Sequence, residues 1–305
     1  MAGNLFRHLK PFYLLLNIFG FVTFKSKDKN YTVTVSNRYL NVVKIAFNCF
    51  LIICIIIKTS GMLFYEEKLM SLLTAMYIYI QGIKITAYSI TRYIFKSNYL
   101  LCWMEILNQD ENFSKKINTI NYEVIKYPIM INIIYIVSRN ALVIPSYLPF
   151  ISTQSDFIIC CAIVYFDYQC MTLKMEYSIY VILTCMYLEQ LKHKLNNLIN
   201  GRGLEGSSGA TIFKNINEFY SKVCKLSRNM LNFMWMPIVT LLVEVVATIA
   251  VQGYTTLSHL FCSRSTISKF FSLKFSLSWC FDGIFTIAII IFPSYLCMRS
   301  VSIFV

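Results

Sequence analysis

Long apolar stretches alternate with polar connections along the whole chain. Six stretches reach the roughly 20 residues that a helix needs to cross the hydrocarbon core of a bilayer. They cover 40–59, 69–95, 127–150, 157–188, 236–260 and 275–298. A spanning segment satisfies its backbone hydrogen bonds internally, and runs of this length fit helices, not barrel strands. The pattern predicts an all-α fold, a polytopic membrane bundle of about six transmembrane helices.

Composition agrees with this prediction. Hydrophobic residues make up 57% of the 305 residues and charged residues only 14%, with a mean hydropathy of +0.57. An ordinary soluble domain of this length has too little interior to bury so much apolar surface. The lipid bilayer is therefore the first expected partner.

Lysine and arginine concentrate in every second connection. The segment before the first span and the connections after the second and fourth spans are basic, whereas 151–156 contains no base. Because basic flanks stay on the cytoplasmic side, the bias predicts a multi-pass membrane protein with a cytoplasmic N-terminus. The connection after the fifth span departs from the trend, since it carries Arg264, Lys269 and Lys274. Topology accounts for the net charge of +13, so no nucleic-acid partner is expected.

The predicted organisation has four parts. Residues 1–38 form a cytoplasmic segment with an interfacial helix, 39–188 hold transmembrane helices one to four, 189–235 form a cytoplasmic helical hairpin, and 236–305 hold helices five and six. The apolar run 12–22 follows Arg7 and Lys10, as in a signal peptide. No small-residue cleavage site follows it, which favours the interfacial helix.

Two apolar stripes at helical spacing predict the hairpin. The first contains Leu188, Leu191, Leu195 and Leu198, and the second contains Ile212, Ile216, Phe219, Val223, Leu226 and Met230. The Gly-rich stretch 201–209 separates them and supplies a flexible turn. Paired helices are favoured over a helix lying on the membrane surface, because both stripes are continuous with spans.

No residue pattern indicates enzyme or metal chemistry. Most of the eleven cysteines lie in or beside spans, where cysteine behaves as a small hydrophobe. His8, His193 and His259 are far apart and match no metal spacing. Phosphate-loop and nucleophile-elbow motifs are missing from the sequence as well. We therefore expect no catalytic residues, no metal and no cofactor.

Three motifs give the chain a resemblance to a known family. An apolar, proline-initiated segment with a Gly-aromatic pair occupies 11–21, a Leu-Asn-x-Leu element occupies 195–198, and an asparagine-plus-aromatic helix at 229–235 leads into span five. In these features the chain resembles the insect chemoreceptor superfamily, and gustatory receptors most closely. That family also has a cytoplasmic N-terminus, in agreement with the charge bias.

The resemblance implies a subunit of a tastant-gated, non-selective cation channel that assembles as a homo- or heterotetramer with related receptors. It also implies a pocket for a small-molecule tastant among spans two to six. Pores of this family are built by a seventh span with a Thr-Tyr-x5-Gln-Phe signature, which this sequence lacks. We therefore expect either an incomplete product or a non-conducting, accessory variant. An odorant-receptor class stays open, while a small transporter is disfavoured because the two halves show no repeat.

Polar residues inside the spans are the candidates for ligand binding. Several share a helix face, and the set comprises Tyr77, Gln81, Lys84, Tyr88, Tyr135, Arg139, Asp167, Glu244 and Gln252. An ionised group near the bilayer centre costs roughly 2.5–3.5 kcal/mol, so it persists with a function or with a partner. These faces either line a cavity of the kind that binds small molecules, or their charges pair with one another and hold the bundle together.

Overall fold

The computed structural model describes residues 22–27, 30–35, 38–62, 96–116, 122–147, 154–200 and 208–262, with helical positions also within 5–13, 79–94 and 281–298. Its elements are β1 (Val22–Lys27), β2 (Asn30–Val35), α1 (Arg38–Met62), α2 (Lys96–Lys116), α3 (Glu123–Tyr147), α4 (Gln154–Ile199) and α5 (Ser208–Cys262). Apart from one short hairpin, the described elements are helices. The prediction of a helical bundle is confirmed for this part of the chain.

The hairpin of β1 and β2 was not predicted. The strands pair antiparallel from Val22 opposite Val35 to Lys27 opposite Asn30, which leaves a two-residue connection typical of tight hairpins. Valine and aromatic residues alternate with threonine and other polar residues through β2 and the first four residues of β1, and β-branched residues favour extended backbone. A search for long apolar runs misses such a pattern. β2 contacts α2 and so lies beside the bundle.

Described residues near the N-terminus pack into the main core. The amide of Leu9 donates to the carbonyl of Leu5 and the amide of Tyr13 to that of Leu9, both at 3.0 Å, which is the helical pattern. Leu5, Leu9 and Phe12 are fully buried. The rings of Phe12 and Tyr13 lie 6.1 and 6.4 Å from that of Trp103 in α2. This end of the chain is therefore anchored to the bundle.

α4 is the central helix. Between residues 170 and 181 every side chain is buried, and α4 contacts α1, α3 and α5. Its Tyr180 ring lies 4.8 Å from that of Trp103, and both side chains are fully buried. A helix without an exposed face in this region belongs at the centre of a bundle.

α4 and α5 are much longer than a bilayer is thick. With 46 and 55 residues they extend about 70 and 80 Å, against about 30 Å of hydrocarbon. The residues of the two predicted hairpin stripes join the main core, among them Leu188, Leu191, Ile216, Phe219, Val223, Leu226 and Met230. Residues 201–207 of the Gly-rich stretch between them lie outside the described residues, and 208 and 209 begin α5. Both helices therefore continue without a break from the predicted spans into the predicted hairpin.

Large apolar side chains cover much of the outer surface of α1, α3 and α5. We call these residues the apolar belt: Val43, Phe47, Phe50, Ile53, Ile57, Met130, Ile131, Ile134, Val137, Val239, Leu242, Val243, Val246 and Ile249. Each is between 39% and 69% exposed. Exposed apolar side chains in this number are typical of contact with lipid or with another protein.

Within the described residues, one helical window satisfies the length and hydropathy expected of a complete membrane span. It covers Met234–Val251 in α5, with a mean hydropathy of 2.1, and a third of it is buried. Two shorter apolar stretches lie at Val42–Cys54 in α1 and Ile129–Ser138 in α3. All three stretches contribute residues to the apolar belt.

Candidate functional site

A buried ion pair joins two of the predicted spans. The Lys84 ammonium contacts the Glu244 carboxylate, and the two side chains are only 1% and 5% exposed. Cys170 of α4 lies within hydrogen-bonding reach of the same ammonium. A single charge in this position would be strongly destabilising, and the opposite charge offsets its desolvation. The three residues bring the 79–94 segment, α4 and α5 to one point.

Close packing holds the 79–94 segment in place. Gly82 approaches α1 so closely that an added Cβ would lie 2.9 Å from Cγ1 of Ile52. About two turns beyond Lys84, the Thr91 hydroxyl donates to the sulfur of Met236 in α5 at 3.9 Å. Since residues before and after Lys84 contact other helices, the fold defines the position of this part of the 79–94 segment.

Tyr135 belongs to an aromatic cluster with the C-terminal helical residues. Its ring stacks on Phe285 with centroids 3.9 Å apart and planes 9° from parallel. Phe281 adds a second ring at 6.0 Å. Gly283 lies between Phe281 and Phe285 in the sequence, and an added Cβ there would be 3.3 Å from Cγ1 of Ile249 in α5. The cluster thus closes one side of the bundle between α3 and α5.

A pair of buried amides connects α1 to α4. Asn48 donates to Gln169 at 3.3 Å, and Gln169 donates back to Asn48 at 3.4 Å. Both side chains are nearly inaccessible. Amide hydrogen bonds of this kind hold helices together where the surroundings are apolar.

Another buried carboxylate lies in the core between α2 and α4. The Asp110 carboxylate, 1% exposed, accepts hydrogen bonds from the hydroxyls of Tyr122 and, at 3.2 Å, Tyr187. The His8 ring stacks on Tyr122 with a centroid distance of 5.8 Å. Burial, and next the Asp110 carboxylate, raise the pKa of the Tyr122 phenol well above its ordinary value. The phenol therefore stays protonated and acts as a permanent donor.

The structure describes the surroundings of only some of the nine residues predicted to bind a ligand. Lys84 and Glu244 are brought together, while Tyr135 packs in the aromatic cluster. Tyr77, Gln81 and Tyr88 lie outside the described residues, and Arg139, Asp167 and Gln252 lie in helices whose side chains at these positions are outside the description. Thr248, one turn after Glu244, is also buried, so this polar face of α5 points into the bundle.

Several buried polar residues were not among those predicted from the sequence. Asn48, Gln169 and Glu176 lie inside the bundle, yet each sits in an apolar run without a visible partner in the sequence. Asp110 had a usable signal, because it falls at helical spacing on the same stripe as Trp103 and Phe113. A charged residue on a buried stripe indicates a polar cluster. Among the described residues, no group of His, Cys, Asp and Glu side chains is arranged to hold a metal ion.

Comparison with known proteins finds no family model that matches the chain and no curated protein that matches it.

Proposed function

We propose that the chain is a gustatory-receptor-like chemosensory protein of the plasma membrane and a subunit of a tastant-gated, non-selective cation channel. The proposal includes six transmembrane helices with a cytoplasmic N-terminus and assembly into a tetramer with related receptors. The motifs at 11–21, 195–198 and 229–235 support the family assignment. The observation that carries the functional part is the buried Lys84–Glu244 pair.

The pair supplies chemistry that a purely structural bundle does not require. Replacing a buried ion pair by apolar residues of similar volume is often neutral or stabilising, so stability alone is a weak reason to keep one. An ammonium and a carboxylate held in apolar surroundings recognise polar small molecules, because a ligand's own charge or hydrogen-bonding group exchanges with one member. We therefore assign tastant recognition to the region of Lys84, Cys170 and Glu244.

Apolar residues that pack near this part of α5 fit the same role, because an added Cβ at Gly283, two residues before Phe285, would lie 4.0 Å from Cγ1 of Val245, next to Glu244. Small-molecule sites combine a few fixed polar groups with aromatic and aliphatic walls. The Tyr135 and Phe285 rings provide such a wall between α3 and the C-terminal helical residues, and Thr248 adds a hydroxyl one turn from Glu244.

Whole-cell recording during application of a panel of tastants tests the function. Cells express the chain alone or together with a related receptor subunit, and surface biotinylation monitors its delivery. We expect at least one compound to evoke a cation current in cells that express the chain. Cells without the chain should show no such current. The double variant Lys84→Met/Glu244→Leu keeps the packing but should lose the response.

An exposed pair of the same residue types provides the control. Lys222 and Glu218 form an ion pair on the surface of α5, with side chains 44% and 47% exposed. The variant Lys222→Met/Glu218→Leu should respond as the wild type does. The proposal fails if no compound evokes a current, with or without the related subunit, while the chain is at the cell surface. It also fails if Lys84→Met/Glu244→Leu responds as normally as the control variant does.

A further inference from the structure

α5 changes character where its membrane-compatible window begins. Before Met234 the helix has one buried apolar face against α2 and one polar face; after it, the exposed side chains are apolar. Trp235 is 55% exposed at this boundary. Tryptophan prefers the membrane–water interface, where its ring meets acyl chains and its indole N–H meets polar groups.

Four exposed residues form a stripe that leads up to this boundary. Lys225, Arg228, Asn232 and Trp235 follow one another at steps of three, four and three residues, so they lie on one face of α5. All four are exposed. The buried residues Phe219, Val223, Leu226 and Met230 lie on the opposite face, which leaves the stripe directed away from the bundle. We call these four residues the basic stripe.

The bases of this stripe are not neutralised by neighbouring carboxylates. Glu218 lies on the same face two turns earlier, but it is paired with Lys222. Lys225 and Arg228 form no ion pair within the described part of the chain. At 1.5 Å per residue, Arg228 is about 9 Å and Lys225 about 14 Å from the start of the apolar window. Both distances are within the reach of long side chains toward headgroups.

We propose that the basic stripe binds the headgroups of acidic phospholipids at the cytoplasmic surface of the bilayer, an inference that rests on the membrane location proposed above. The Arg228 guanidinium matches a phosphate with two parallel hydrogen bonds, whereas Lys225 contributes a mobile point charge. The Asn232 amide adds a donor, and Trp235 fixes the depth of the stripe. An acidic leaflet surface attracts basic residues next to a span in this manner.

Quenching of Trp235 fluorescence by brominated lipids tests the inference. The full chain is reconstituted in phosphatidylcholine vesicles that contain a minor share of phosphatidylserine, with bromine on the acyl chains of one lipid at a time. The Trp235→Phe variant gives the background from the other tryptophans. We expect brominated phosphatidylserine to quench Trp235 more per molecule than brominated phosphatidylcholine. Arg228→Gln and Lys225→Gln should each lower this preference by up to about fivefold.

Lys214→Gln is the matched control. Lys214 is an exposed lysine on the same face of α5, but it lies about 30 Å before the apolar window, so its replacement should leave the preference unchanged. Equal quenching by both lipids in the wild type, or a preference that neither Arg228→Gln nor Lys225→Gln alters, would overturn the inference and favour an acidic protein as the partner. Lack of quenching by either lipid would instead contradict the membrane location itself.

Discussion

The Lys84 ammonium contacts the Glu244 carboxylate inside the bundle and connects the 79–94 segment to α5. Cys170 of α4 lies beside the ammonium and packs in a small apolar cluster with Leu51 of α1 and Phe166 of α4. The energetic importance of the ion pair depends on whether one member or both members are removed.

Removal of one member should be far more damaging than removal of both. Glu244→Leu leaves a buried, unpaired ammonium and should lower the stability by about 3–5 kcal/mol, whereas Lys84→Met/Glu244→Leu should recover most of this loss. Thermal unfolding of the purified chain in detergent micelles measures the difference. The exposed pair serves as the reference, because Glu218→Leu should change the stability by less than about 1 kcal/mol. If the effects of Lys84→Met and Glu244→Leu, measured singly, add up to the effect of the double variant, the two residues do not interact.

The Asp110 carboxylate should stabilise the core of α2 and α4 through two phenols. Asp110→Ala leaves the hydroxyls of Tyr122 and Tyr187 without this acceptor, at a cost of about 1–3 kcal/mol for each buried group. Asn112→Ala, two residues away on the exposed side of α2, is the control and should be nearly neutral. Thermal unfolding midpoints of the two variants provide the comparison. If Asp110→Ala unfolds at the same temperature as the control, the hydrogen bonds of Asp110 do not stabilise this core.

Cysteine alkylation should distinguish the interior from the surface of the same core. Burial, and next the Glu105 carboxylate, raise the pKa of the Cys102 thiol to about 11, so near pH 8 only about one molecule in a thousand carries the reactive thiolate. Cys224 is exposed on α5. We expect N-ethylmaleimide to modify Cys224 readily at pH 8 and Cys102 only after unfolding, as read by peptide mass spectrometry. Rapid modification of Cys102 in the folded protein would show that α2 is not packed as described.

The helical architecture follows from the sequence because its signal is local. Long apolar runs specify helices whatever their neighbours are, and the stripe of Ile216, Phe219 and Val223 correctly marks the buried face of α5. The hairpin of β1 and β2 escaped notice because its signal is an alternation within six-residue strands that contain few large apolar residues. Averaging hydropathy over a long window hides an alternation of apolar and polar residues in strands this short.

The partners within the bundle were harder to predict than the helices. Nothing local in the sequence links Asn48 to Gln169, which are 121 positions apart, or Lys84 to Glu244. Each pairing depends on which helix faces meet, and this is decided by packing over the whole bundle. Lys84 and Glu244 could therefore be identified from the sequence as charged residues within spans. The sequence did not decide whether they bind a ligand or each other.

Membrane location can be examined by comparing two phenylalanines with almost equal exposure. Phe50 in the apolar belt is 58% exposed, and Phe213 near the start of α5 is 55% exposed. Phe50 lies in the middle of the first predicted span, whereas Phe213 lies about 31 Å before the apolar window of α5. On the bare protein the two rings should react alike, so any difference between them reports the surroundings.

Hydroxyl-radical labelling of the chain in lipid nanodiscs, read by mass spectrometry at these two residues, is the most direct test that the apolar belt faces lipid. Radicals generated in water should oxidise Phe213 and leave Phe50 protected by acyl chains, because the hydrocarbon core excludes water. Comparable oxidation of Phe50 and Phe213 in nanodiscs would contradict the membrane-embedded bundle on which the proposed chemosensory function depends.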